Sequence, residues 1–73
     1  MTTLNELQVG QKAVITDILD TDIATQAFRL GISVGELVCC LARVPAGPVV
    51  IQRGGMELAL GQALCYQIEV QLQ

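Results

Sequence analysis

The chain has 73 residues, 52% of them hydrophobic and 15% charged, with a net charge of −3. That length holds one small domain, which buries roughly 60% of the surface its unfolded form exposes, and the apolar content excludes intrinsic disorder. The four basic residues, Lys12, Arg29, Arg43 and Arg53, are scattered, and the acidic balance excludes a surface built for nucleic acid or anionic lipid.

The opening segment, Met1-Thr2-Thr3-Leu4-Asn5-Glu6, carries neither a basic n-region nor an apolar h-region, so secretion is not expected. No run approaches the ~18 apolar residues that span a bilayer. The expectation is a cytoplasmic protein whose three cysteines are reduced thiols.

Thr3 to Gly10 reads as a lead-in, with Leu4, Leu7 and Val9 covering one end of a core. Lys12 to Asp20 predicts a strand. Its inward set, Ala13, Ile15 and Ile18, is spaced by two and then by three, and the extra residue predicts a β-bulge. Asp20-Thr21-Asp22 supplies N-cap chemistry and acids for the positive end of a helix. Ile23, Ala27 and Leu30 then recur at helical spacing.

Gly31 stands where a left-handed C′ residue stops a helix, and Ile32, as C″, packs back on Ala27. Gly35 is a second flexible point before a dense strand. That strand, Glu36 to Val44, is apolar on both faces, with Leu37, Cys39 and Leu41 against Val38, Cys40 and Ala42. Such a pattern predicts cover on both sides.

Pro45-Ala46-Gly47-Pro48 is a turn. Val49 to Arg53 and Met56 to Leu60 predict a hairpin closed by Gly54-Gly55 in a primed turn, with Gly55 as a structural position. Gly61 to Leu64 fits a single helical turn, and Tyr66 to Leu72 alternates Ile68, Val70 and Leu72 with Gln67, Glu69 and Gln71. Five short strands and one short helix predict an all-β fold, a small barrel that hides its edges by closure.

Catalytic chemistry is thin. The absence of histidine removes the commonest general base, the commonest transition-metal ligand and every Ser-His or Cys-His dyad. Arg53-Gly54-Gly55-Met56 matches neither phosphate-cradling glycine pattern. Cys39 and Cys40 are strand neighbours and so point to opposite faces; with Cys65 they offer two converging thiolates where a closed zinc site takes four ligands. Asp17, Asp20 and Asp22 lack the further oxygen ligands of a calcium loop, since Ala24 and Gln26 follow. No catalytic, cofactor or metal residue is therefore assigned. Phe28, the single phenylalanine, lies about 100° round the helix from the apolar stripe. It is either rim packing or a partner contact.

The chain resembles the FeoA family of small accessory proteins of bacterial ferrous iron uptake. The matching elements are Gly10-x-x-Ala13-x-Ile15-x-x-Ile18 and Leu30-Gly31-Ile32-x-x-Gly35-x-x-Val38, followed by Gly47-Pro48-Val49-x-Ile51, Gly55-x-x-Leu58-Ala59-Leu60 and Ile68-x-Val70. The resemblance implies one SH3-like five-stranded barrel over residues 1–73. It also implies a non-enzymatic role in iron homeostasis, by protein–protein interaction with the cytosolic GTPase part of the FeoB transporter. No cofactor, nucleic acid or membrane insertion is implied, and self-association stays open. Phe28, Leu30, Ile32 and Val34 are the expected partner contacts, with Gly31, Gly35 and Gly55 shaping the turns. Arg29, Arg53, Gly61 and Cys65 depart from the residues frequent in the family. The alternative is the regulatory SH3-like domain of an iron-dependent repressor. Such a repressor is expected to carry an upstream helix-turn-helix, whereas Met1 leads almost directly into the barrel. A metal-binding or redox protein would rest on the cysteines alone.

Overall fold

In the computed structural model, which describes residues 2–73, the elements are β1 (Thr2–Thr3), a 3-10 turn (Leu4–Glu6), β2 (Lys12–Ile18), α1 (Thr21–Arg29), β3 (Leu37–Arg43), β4 (Val49–Arg53), β5 (Met56–Leu60), α2 (Gln62–Cys65) and β6 (Ile68–Leu72). The strands make one antiparallel sheet in the order β1-β6-β2-β3-β4-β5. There are six strands among the described residues, not five, because Thr2 and Thr3 pair with Val70 and Glu69.

Two breaks of register curl this sheet. One falls between Ile15 and Asp17 against β6, where the two-then-three spacing predicted a bulge, and the other between Cys40 and Ala42 against β4. A bulged strand bends and twists more strongly, so one sheet wraps a single core. Ala13, Ile15, Val38, Cys40, Val49, Ile51, Leu60, Ile68 and Val70 are buried there, and Leu4 and Leu7 close one end. Each fully buried branched side chain contributes roughly 1.5–3 kcal/mol relative to an exposed one.

The wrapping explains where side chains leave the predicted pattern. A curled sheet has one interior, so β3 is covered on its Val38 and Cys40 face while Leu37 stands half-exposed on the other. The expected double cover of β3 does not occur. Val9 is also outside. In β6 the alternation fades at its end: Leu72 runs past the core into solvent, while Glu69 is buried between Thr3 of β1 and Asp17 of β2, its partners on either side.

The hairpin turn at Gly54-Gly55 has its positive φ, +56°, on Gly54 and not on Gly55. That is the pattern of a type II′ turn, in which the first central residue is left-handed, so the structural role predicted for Gly55 belongs to its neighbour.

Helix α1 starts as its sequence requires. The Asp20 carboxylate accepts from the N–H groups of Asp22, at 2.8 Å, and Ile23, at 3.2 Å, satisfying two of the donors that a helix N-terminus leaves orphaned. Within the helix only Ala27 is fully buried. Leu30, expected to complete the stripe, is 40% exposed; the chain reverses immediately after it and Ile32 takes the inward place. No helix of the described residues is long and apolar enough to cross a membrane.

Candidate functional site

The most exposed apolar segment is the end of α1, and its shape follows from two glycines. Gly31 has φ +84°, a conformation that costs glycine little and other residues more. Its N–H donates to the Phe28 carbonyl at 2.9 Å, and the Ile32 N–H reaches back to the Ala27 carbonyl at 2.8 Å. This pair of bonds is a Schellman stop. It turns Ile32 inward, where both Ile32 and Ala27 have no exposed surface.

A turn over Ser33 to Glu36 follows. The Glu36 N–H donates to the Ser33 carbonyl at 3.1 Å, and Gly35, with φ +94°, occupies the third position, as a type II turn requires. The Gly35 N–H donates to the Ile15 carbonyl at 2.8 Å, and the Ile15 N–H to the Glu36 carbonyl at 3.0 Å. The segment is thus tied to β2 by backbone bonds and does not hang free. Phe28 is 73% exposed and Val34 60% exposed. Of the expected contacts, Phe28, Leu30 and Val34 face solvent on this fixed support, and Ile32 does not. Its burial removes Ile32 from any docking surface and makes it part of the core.

Arg53 joins this segment from β4. Its Nη1 lies 3.5 Å from Glu36 Oε2, and its Nη2 lies 3.9 Å from Met56 Sδ. A Cβ placed on Gly31 would stand 2.8 Å from Nη2. The guanidinium therefore packs against the bare face of the helix stop, and its buried Nε has no hydrogen-bond partner among the described residues. Beside the apolar side chains the surface thus carries a half-exposed ion pair. Such a pair contributes at most about 1 kcal/mol to stability, so its larger consequence is a fixed charge next to the protruding segment. Arg53 and Glu36 were not legible as site residues. They are 17 positions apart, and no local pattern joins them.

The cysteines divide as strand alternation predicts: Cys40 is buried and Cys39 half-buried, while Cys65, on α2, is buried too. Burial pushes the Cys65 thiol up to about 11; the neighbouring Cys40 adds to the rise and Arg43 opposes it. Burial also raises Cys40, against the Arg43 charge and a backbone hydrogen bond from Ala42. Both thiols therefore stay protonated at neutral pH, where the thiolate is the nucleophile and ligand. Among the described residues, no three His, Cys, Asp or Glu side chains come together as metal ligands.

The raised Cys65 thiol has a consequence for stability. Above the free-thiol value of 9.0 the unfolded chain has lost this proton and the folded chain still holds it. The unfolded state then binds fewer protons, so stability falls with rising pH. The loss should run from about pH 9 to about pH 11 and reach no more than about 3 kcal/mol, at 1.4 kcal/mol per unit. Urea melts across that range should show it, and Cys65→Ala should flatten the slope. An unchanged slope in the variant would refute the assignment.

Residues 2–72 match the family model described as the FeoA domain. The fold superposes on an iron uptake regulatory protein, FeoA, with a TM-score of 0.92 at 26% identity, covering 99% of this chain and 97% of the other. The Stenotrophomonas maltophilia FeoA, solved in complex with zinc and described as an SH3 domain protein and candidate ferrous iron transport activating factor, gives 0.83 at 28% identity, covering 97% and 91%. The manganese regulator SloR shares the fold alone, with a TM-score of 0.86 at 18% identity; this chain covers 99% of itself and 34% of SloR. Comparison with curated proteins gives no match.

Proposed function

The chain belongs to the FeoA domain family, and from that premise we propose that it serves ferrous iron uptake by binding the cytosolic GTPase part of an FeoB-type transporter. It acts there by contact and not by catalysis, in the cytoplasm. The observation that carries the reading is the end of α1. Phe28 is 73% exposed on a segment that backbone hydrogen bonds hold in place, in a molecule whose buried thiols stay protonated at neutral pH.

A large aromatic side chain on a backbone already held in position costs little main-chain entropy on docking, and aromatic residues are the usual interface anchors. Leu30 and Val34 extend the apolar contact, and Arg53 with Glu36 places charge at its rim, where electrostatics set orientation and partner choice. The transport reading is preferred to a repressor domain because the family model that matches residues 2–72 is the FeoA domain, while the manganese regulator SloR resembles this chain in fold alone.

Calorimetric titration against the full-length transporter in detergent tests the proposal, with and without guanine nucleotide. Wild type should bind, and Phe28→Ala should weaken binding by about 1–3 kcal/mol while leaving the urea midpoint within error. No association of the folded wild type at tens of micromolar would end this reading. Equal affinity of Phe28→Ala and wild type would move the contact elsewhere on the molecule.

A further inference from the structure

Among the described residues strand β5 has a single neighbour, β4, and ends the sheet. Arg53 and Met56 flank the two-residue turn and pair with each other, so their main-chain groups face one another. By the alternation of an antiparallel ladder, Leu58 and Leu60 also bond to β4, and Glu57 and Ala59 present their N–H and C=O groups outward. Both residues are exposed, and neither has any other backbone hydrogen bond among the described residues. An edge of this kind is a template for a further strand.

We propose that the occupant is a second copy of this chain, added antiparallel through β5 about a two-fold axis at Leu58. The geometry of β5 selects the register. Pairing Glu57 with Ala59 of the second copy, and Ala59 with its Glu57, uses both outward residues of each strand and makes four main-chain hydrogen bonds. Met56 then lies opposite Leu60, and Leu58 opposite Leu58, so the full five residues of β5 are matched. A shift that sets Glu57 against Glu57 makes fewer bonds and places like charges directly opposite, which is unfavourable. Pairing centred on Ala59 also makes fewer bonds and leaves Met56 unmatched. The best-bonded register is thus also the one that keeps Glu57, the only charge on the strand, opposite an alanine.

Such an interface is isologous, as a two-fold requires, and its main-chain bonds use no residue from Phe28 to Val34. Its success or failure is therefore separate from the transporter reading. A five-residue edge covers less than a standard interface, so the association is weak and concentration-dependent.

Sedimentation of the full chain from about 20 µM to about 1 mM, the range in which small interfaces associate, should show a monomer–dimer equilibrium. Ala59→Pro removes an outward N–H at a position where an edge strand tolerates proline. It should weaken the dimer by more than tenfold while the circular dichroism spectrum is kept. Should that variant lose its fold, Leu58→Cys supplies the register directly. Facing residues of a non-hydrogen-bonded pair have Cα atoms about 4.5 Å apart, within disulfide reach, so mild oxidation should give a 58–58 cross-link by peptide mass mapping. A wild type that stays monomeric at the highest concentration overturns the proposal, as it would if the edge instead took a strand from a different protein. A dimer undisturbed in folded Ala59→Pro, or a 59–59 cross-link from Ala59→Cys exceeding the 58–58 product, overturns it equally.

Discussion

Ile32→Ala should lower the free energy of unfolding by about 2–5 kcal/mol, the range for truncating a buried isoleucine. Ile32 has no exposed surface and belongs to the same core cluster as Ala27, Ile15 and Val38. Truncation removes the transfer free energy of the lost carbons and leaves a cavity. Ile32 is also C″ of the Schellman stop, so the hydrophobic contact that accompanies such a stop is lost with it. In a domain of this size each kcal/mol shifts the melting temperature by about 4–8 °C, so a fall of more than about 10 °C is expected in a thermal scan. Leu30→Ala, two residues earlier, provides the control. Leu30 is 40% exposed, and its truncation should cost well under half as much. Equal effects of the two substitutions would contradict the inward turn after Gly31.

Gly31→Val should be the next most damaging change, at about 2–3 kcal/mol. The φ of +84° is hard for a β-branched residue to adopt, and holding a non-glycine residue in so sparsely populated a region costs about 1–3 kcal/mol. Arg53 adds a second contribution, because a Cβ on Gly31 would meet its Nη2 at 2.8 Å. That atom is the far end of a flexible side chain, so the guanidinium moves aside and gives up its pair with Glu36. Such a half-exposed pair is worth at most about 1 kcal/mol.

Gly35 separates the two contributions. Its φ is +94°, but a Cβ there would meet nothing within 4 Å. Gly35→Val should therefore show the backbone cost alone, and Gly31→Val should exceed it by the Arg53 contribution. The excess should vanish when both substitutions are made in an Arg53→Ala background. Urea midpoints for the five variants test this directly. A Gly31→Val chain as stable as wild type would rule out a left-handed stop.

Much of the fold was legible because the deciding forces are local. The Asp20 cap, the glycine stop after Leu30, the bulge signalled by Ala13, Ile15 and Ile18, and the Gly54-Gly55 hairpin each follow from backbone stereochemistry over a few residues. The segment Phe28 to Val34 was legible for the same reason, since a helix stop followed by a second glycine must make a projecting corner. The rest was not local. Leu37 and Leu72 look as apolar as Val38 and Val70, yet each lies half-exposed, and no pattern in the strand distinguishes the inside of a curled sheet from its outside. Glu69 looks like a solvated residue and is buried, with Thr3 and Asp17 beside it on the neighbouring strands.

By itself, then, the sequence determined five of the six strands among the described residues, the helix and its stop, and that the chain holds no histidine chemistry, whereas the strand at Thr2 and Thr3 exists only through its pairing with β6. Hydrogen-bond geometry, chirality and side-chain alternation act within a turn or two of chain, and they need no partner from elsewhere. Only the tertiary structure decided which apolar residues of the strands form the core, that Phe28 points out, that Arg53 comes to rest against Gly31, and that β5 is left with an open edge. Those outcomes depend on which distant segments share the limited space under a single curled sheet. Its one interior fills with the side chains that curvature brings together, and hydrophobicity alone does not specify which ones those are.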